Sequence, residues 1–188
     1  MNIVIDLFPW EQIFVGSALS LIVTALAGVG SLLRRRRIGP AHRILLALFA
    51  LGAILPWLII PRFGARLRRS METNIAATSE DADWPELRPR RYDRPLSEVA
   101  DAASRAFAQL GWRQVGQDTG ALAAEVPILR GIFTDDFRVT LTNEGQQTVV
   151  NARSSARVGT GDLGANRRHV VQFFIVLDQQ LNAAAPQR

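Results

Sequence analysis

The chain has 188 residues, no cysteine, two histidines, 48% apolar residues and a formal net charge of +5, which excludes a disulfide-stapled mini-domain, a zinc ribbon and a disordered tail. All 22 basic residues are arginine, and a sequence pI near 11.2 would ordinarily suggest a nucleic-acid partner. That inference fails once the charges are located: nine arginines stand against two acids, Asp6 and Glu11, in residues 1–69, and thirteen against fifteen acids from Ser70 onward.

Residues 13–33 form a run of 21 without a charge, about 31 Å as a helix and enough to cross a bilayer core. Residues 44–60 form a second uncharged run of 17, bent near its end by Pro56, about 25 Å long and at the short end of what spans. Two adjacent charge-free runs with an arginine cluster between them predict a transmembrane hairpin over residues 1–69 rather than buried core helices. Trp10 and Trp57 would then share one interface, as aromatic belts do. No basic residue precedes the first run and no A-x-A site follows it, so it is not read as a cleaved signal peptide. Arg34, Arg35, Arg36, Arg37 and Arg43 flank the connection, against Arg62, Arg66, Arg68 and Arg69 after the second run. Five against four favours a cytoplasmic connection with the following domain outside. The clusters serve topology and anchoring at the lipid surface, or recognise anionic lipid.

Residues 70–86 are polar and acidic and read as a linker. A soluble domain is predicted over residues 87–182. It starts with a short edge strand within 87–93, which Pro89 keeps from a central position. Residues 97–110 follow as an amphipathic helix, with Val99, Ala103, Ala106, Phe107 and Leu110 at helical spacing, Ser97 as cap and Gly111 as stop. Strand-like runs cover 112–117, 121–126, 135–142 and 147–158, with turn chemistry at 118–120 and 143–145. If Thr142 pairs with Gln147, Phe137 faces Ala152, Val139 faces Val150 and Asp136 faces Arg153, leaving one face apolar and the other polar. A last helix over about 163–182 buries Leu163, Val170, Phe174, Leu177 and Leu181, with Asp162 at its N-cap. Residues 183–188 are a frayed tail. The expected fold is α+β: two transmembrane helices, then an antiparallel sheet with two helices on one face.

Catalytic residue types are scarce. There is no thiol, and His169, on the flank of the last helix, is read as structural. His42 lies in the arginine loop. With two histidines in different compartments, no metal site and no cofactor are expected. Adjacent Asp135 and Asp136 point to opposite faces of a strand. The Gly159-Thr160-Gly161-Asp162-Leu163-Gly164 turn lacks the lysine of a phosphate loop and puts an acid where an anion would sit, so it is read as a helix cap. Arg153, Ser155 and Arg157 alternate on one strand face, near Asn166 on the following helix. They could hold a carboxylate or phosphate. Alternatively, Asp136, Arg153 and Asp162 form a polar network that locks strand to helix.

The segment from Arg153 to Asn166, R-S-S-A-R-V-G-T-G-D-L-G-A-N, preceded by Phe133-Thr134-Asp135-Asp136, resembles the signature of the DUF1499 family of unknown function. Its pattern is an aspartate pair opening one strand, then R-S-x-S-R-x-G-x-x-D-x-G-x-N leading into the last helix. Leu110-Gly111-Trp112 also fits, and the resemblance covers residues 84–181. Ala156 stands where the pattern has its second serine, and His169 where an arginine is usual. The resemblance implies a domain commonly on the outer side of the bacterial inner membrane, or in plastids in plants, with no established activity. The expected function is a non-catalytic accessory or scaffolding protein of the bacterial inner membrane, its domain on the periplasmic side and its partners lipids and other integral membrane proteins. The small residues Gly16, Ala18, Ser20, Gly28 and Gly30 permit close helix approach. The alternative is a module that binds an anionic ligand or lipid headgroup, and the remotest is a hydrolase using Asp136 or His169.

Overall fold

A computed structural model describes residues 8–33 and 39–183; Arg34, Arg35, Arg36 and Arg37 lie outside the described residues. The chain divides into two compact units at Ser70/Met71.

The first unit consists of α1 (Trp10–Leu33), α2 (Pro40–Ile59) and most of α3 (Phe63–Glu72). Both α1 and α2 are long and apolar enough to cross a membrane, with almost none of either buried within the protein. The second helix starts at Pro40, four residues before the charge-free run. Proline at the first helical position sacrifices no hydrogen bond, and the helix therefore takes in His42 and Arg43. The two helices pair antiparallel. Phe14 meets Trp57 edge-on at 6.0 Å, a side chain at Gly52 would run into Ser17, and one at Gly28 would come within 2.8 Å of His42 Nε2. Trp10 and Trp57 consequently lie at the same end of the pair, and Trp57 packs on Phe63 at 5.4 Å.

The second unit contains β1 (Ile75–Ala77), β2 (Arg90–Tyr92), α4 (Leu96–Leu110), β3 (Arg113–Asp118), β4 (Ala121–Ile128), β5 (Phe133–Glu144), β6 (Gln147–Ala156) and α5 (Ala165–Ala183). The sheet is antiparallel in the order β1-β6-β5-β4-β3, and β2 joins β1 on the outer edge of β6. Alternation sends Leu122, Ala124, Phe137, Val139, Val150 and Ala152 to one face. There they meet Val99, Phe107, Val170, Phe173, Phe174 and Leu177 of α4 and α5 in one core. Phe107, Phe137 and Phe173 interlock at 5.2–6.0 Å between ring centres, within the range of favourable edge and tilted aromatic contacts. The fold is α+β with two helices on one face.

Three expectations fail locally. Residues 70–86 are not a linker: α3 runs to Glu72, β1 pairs with β6, and Pro85–Leu87 form a short turn that buries Glu86 against Arg167 at 3.3 Å. The strand forms because Ala76 reaches the core while its neighbours face out. Ser97 lies inside α4, which begins at Leu96 after Pro95 and has no side-chain cap, whereas Gly111, at φ 71°, does end it. Third, Glu144 rather than Thr142 pairs with Gln147, so Phe137 faces Ser154, Val139 faces Ala152 and Arg138 faces Arg153. Gly145, at φ 68°, closes a two-residue turn. Twisted hairpin strands favour that turn over a four-residue loop. A slip of two residues keeps every side chain on its expected face and changes every partner.

Candidate functional site on the open face of the sheet

The sheet separates residues that the sequence grouped. Arg153 and Ser155 face away from the helices, while Ser154, between them, points into the helix side and is fully buried with Asn166. Asn166 therefore cannot join a pocket with Arg153 and Ser155. Its Nδ2 donates to the Asn74 carbonyl at 2.7 Å, which turns its Oδ1 toward Ser154 Oγ at 2.6 Å. Asp162 is likewise a cap and not part of a strand-locking network, accepting from the N–H groups of Gly164 and Asn166 at 2.8 and 2.9 Å.

The serine hydroxyl, having donated to Asn166, accepts from His169 Nδ1, 3.1 Å away. The imidazole is the neutral Nδ1–H tautomer. Burial first, and the neighbouring Arg168 second, push its pKa down to about 4. Asp135 Oδ2 lies 3.8 Å from the same nitrogen, beyond hydrogen-bond reach and facing an uncharged ring. Burial, then Asp162 and Asp136, raise the Asp135 carboxyl above the ordinary range. A serine nucleophile requires its hydroxyl on one ring nitrogen and the carboxylate on the other. Here both address Nδ1, and the hydroxyl has no exposed surface. The cluster is a structural polar core.

On the open face, Asp136 does not meet Arg153. Arg157 reaches it at 2.6 Å and also reaches Glu125 at 2.8 Å. Glu125 in addition pairs with Arg113. The hydrogen bond from Arg157, with Arg113 beside it, holds the Glu125 carboxyl below its usual range. Arg157 is thus occupied. The next row of the sheet has the opposite character. Arg138 and Arg153 are directly opposite one another on β5 and β6, both exposed, and among the described residues neither has a carboxylate partner. With Ser155, Val115, Ala123 and Asp136, whose carboxylate is held by Arg157, they line a groove of about 350 Å³. Arg138 was not among the sequence candidates, because the expected pairing set it opposite Asn151. The two-residue turn at Gly145 was the signal that could have found it.

The profile described as "Protein of unknown function (DUF1499)" matches residues 66–177, well over half of the chain. The chain belongs to the DUF1499 family. Within this DUF1499 protein the match begins in α3 and ends in α5, so it includes both the buried polar core and the open-face groove. No curated protein matches the chain. Among solved structures, TTHA0849 from Thermus thermophilus is 11% identical, with a TM-score of 0.35 over 52% of this chain and 97% of that one. CalU16 from Micromonospora echinospora is 12% identical, with a TM-score of 0.34 over 58% of this chain and 93% of that one.

Proposed function

We propose that this DUF1499 protein is a membrane-anchored, non-catalytic binding protein, α1 and α2 spanning the bacterial inner membrane and the domain standing at its outer face, where the open side of the sheet holds an anionic group. The Arg138–Arg153 pair carries this reading. Like charges directly opposite on neighbouring strands destabilise a sheet, yet here two guanidiniums face each other at the floor of a groove while every acid of the adjacent row serves other arginines. Two planar forks and the Ser155 hydroxyl suit the oxygens of a phosphate or carboxylate.

The test uses the full-length protein in detergent, with inorganic phosphate and citrate as probes. Either anion should raise the unfolding temperature of the wild type, and Arg138→Ala with Arg153→Ala should abolish the rise. Without anion the double variant should be no less stable than the wild type, since it loses only a repulsion. Absence of any anion-dependent shift in the wild type would remove the proposal.

A second reading, an accessory subunit of a larger membrane assembly, is supported by Gly16 and Gly30. A side chain at either would meet nothing within 4 Å, unlike Gly28 and Gly52, which the α1–α2 contact uses. Small residues left open on an apolar helix admit a further helix. Mild cross-linking in membranes should then trap a partner in wild type and not in Gly16→Leu, Gly30→Leu.

A further inference from the structure

The connection between β4 and β5 is exposed, apolar and strained. Leu129, Arg130 and Gly131 follow one another at φ 48°, 60° and 88°, and left-handed backbone costs a residue with a side chain about 1–2 kcal/mol. Such strain persists where the surrounding structure or a function requires it. The strained turn holds Leu129 and Ile132 in solvent at 65% and 74% exposure, next to Phe133 at 43%. Phe133 lies two positions before the Asp135–Ala156 pair, and continuing that register places Val158, 67% exposed, at the same level of the sheet. Four large apolar side chains therefore crowd one end of the sheet. Residues 126–134 include Arg130 and no acid.

The chain from the apolar helices arrives at this same end. β1 enters opposite the close of β6, Ile75 facing Ser155, and Asn74 Nδ2 donates to the carbonyls of Ala156 and Gly159 at 3.3 and 2.7 Å. Only residues 60–74 separate α2 from β1, and ten of these form α3. One such helix with five extended positions reaches no further than roughly 30 Å. The covalent tether thus limits how far the start of β1 can lie from the end of α2.

We propose that this end of the domain, Leu129, Ile132, Phe133 and Val158, inserts into the headgroup–acyl boundary of the bilayer that α1 and α2 cross, with Arg130 reaching the lipid phosphates. Side chains of this kind bury their apolar parts at an interface while a guanidinium stays with the headgroups. The domain is then docked on the membrane and not free on a stalk, with the Arg138–Arg153 groove fixed at a set height above the lipid. This rests on the spanning reading of α1 and α2.

The chain has no cysteine, so single cysteines can carry an environment-sensitive fluorophore in the full-length protein. Ile132→Cys and Val158→Cys, reconstituted in nanodiscs of phosphatidylethanolamine with a minority of phosphatidylglycerol, should show blue-shifted emission. Phospholipid labelled with a shallow nitroxide should quench them several-fold more than Thr119→Cys, at the opposite end of the sheet. Leu26→Cys, in α1, reports separately on the span with a deep nitroxide. Deep quenching at Leu26 with Ile132 and Val158 left as wet as Thr119 would overturn docking and leave the anchor standing. Loss of quenching at Leu26 would overturn both. A blue shift at Ile132 without lipid quenching means that protein covers the patch and also overturns the proposal.

Discussion

His169 stays neutral because its ring is buried between Ser154, Trp112 and the helix that carries it. The consequence for stability has a definite sign. Its pKa is 6.5 unfolded and about 4 folded, so the unfolded chain binds more protons between those values and stability falls as pH drops through them. Asp135 acts in the opposite sense, since burial raises its carboxyl and the folded state takes up that proton first. The two are separable because His169→Gln removes only one. Between pH 7 and 4.5 the wild type should lose about 2 kcal/mol more than His169→Gln in urea unfolding; equal losses would show that the ring is not held neutral. From the sequence, the flank position of His169 was enough to read it as structural. Its partner Ser154 falls on the face of Ala152 in either register, and only the packing of α5 on that face shows that it meets His169. Arg157, which the expected network of Asp136, Arg153 and Asp162 left out, is held by two acids, Asp136 and Glu125.

At the scale of elements, the long periodic segments were legible: α1, α4, α5 and β4 to β6 lie within a few residues of their expected ranges. Short elements were legible only in part: β2 falls inside the expected 87–93, whereas β1 was missed. A three-residue strand such as β1 has no period to read, and it exists only because the edge of β6 is there to pair with. The β5–β6 register shows how faces and partners carry different information. Apolar alternation determines the face, and an even slip leaves it untouched, whereas the partner depends on turn geometry at Gly145. The two glycine turns should therefore differ in tolerance. Gly145→Ala incurs only the cost of φ 68°, with nothing within 4 Å of the added methyl, about 1–2 kcal/mol. Gly120→Ala adds to φ 78° an approach of 2.8 Å to the Leu141 carbonyl, the residue whose N–H bonds back to Gly120 at 2.7 Å. In chemical denaturation Gly120→Ala should be the more damaging of the two, and the reverse order would contradict this account of the turns.

For the whole molecule, charge partition decides more than total charge. If α1 and α2 span the bilayer as proposed, the chain returns to the side it left, and the arginines on either side would determine which side that is. Five flank the connection and four follow α2, and positive residues near short loops are retained in the cytoplasm. A margin of one is small enough to reverse. A phosphatase fused after Arg188 should be active in wild-type cells, reporting a periplasmic domain. Replacing Arg34, Arg35, Arg36 and Arg37 by glutamine leaves only Arg43 against four, and the same fusion should then become inactive while a fluorescent-protein fusion lights up. Cytoplasmic fluorescence in the wild type would place the Arg138–Arg153 groove inside the cell, and its anion would then come from the cytoplasm. A phosphatase signal unmoved by the four substitutions would show that the arginine balance does not set the orientation.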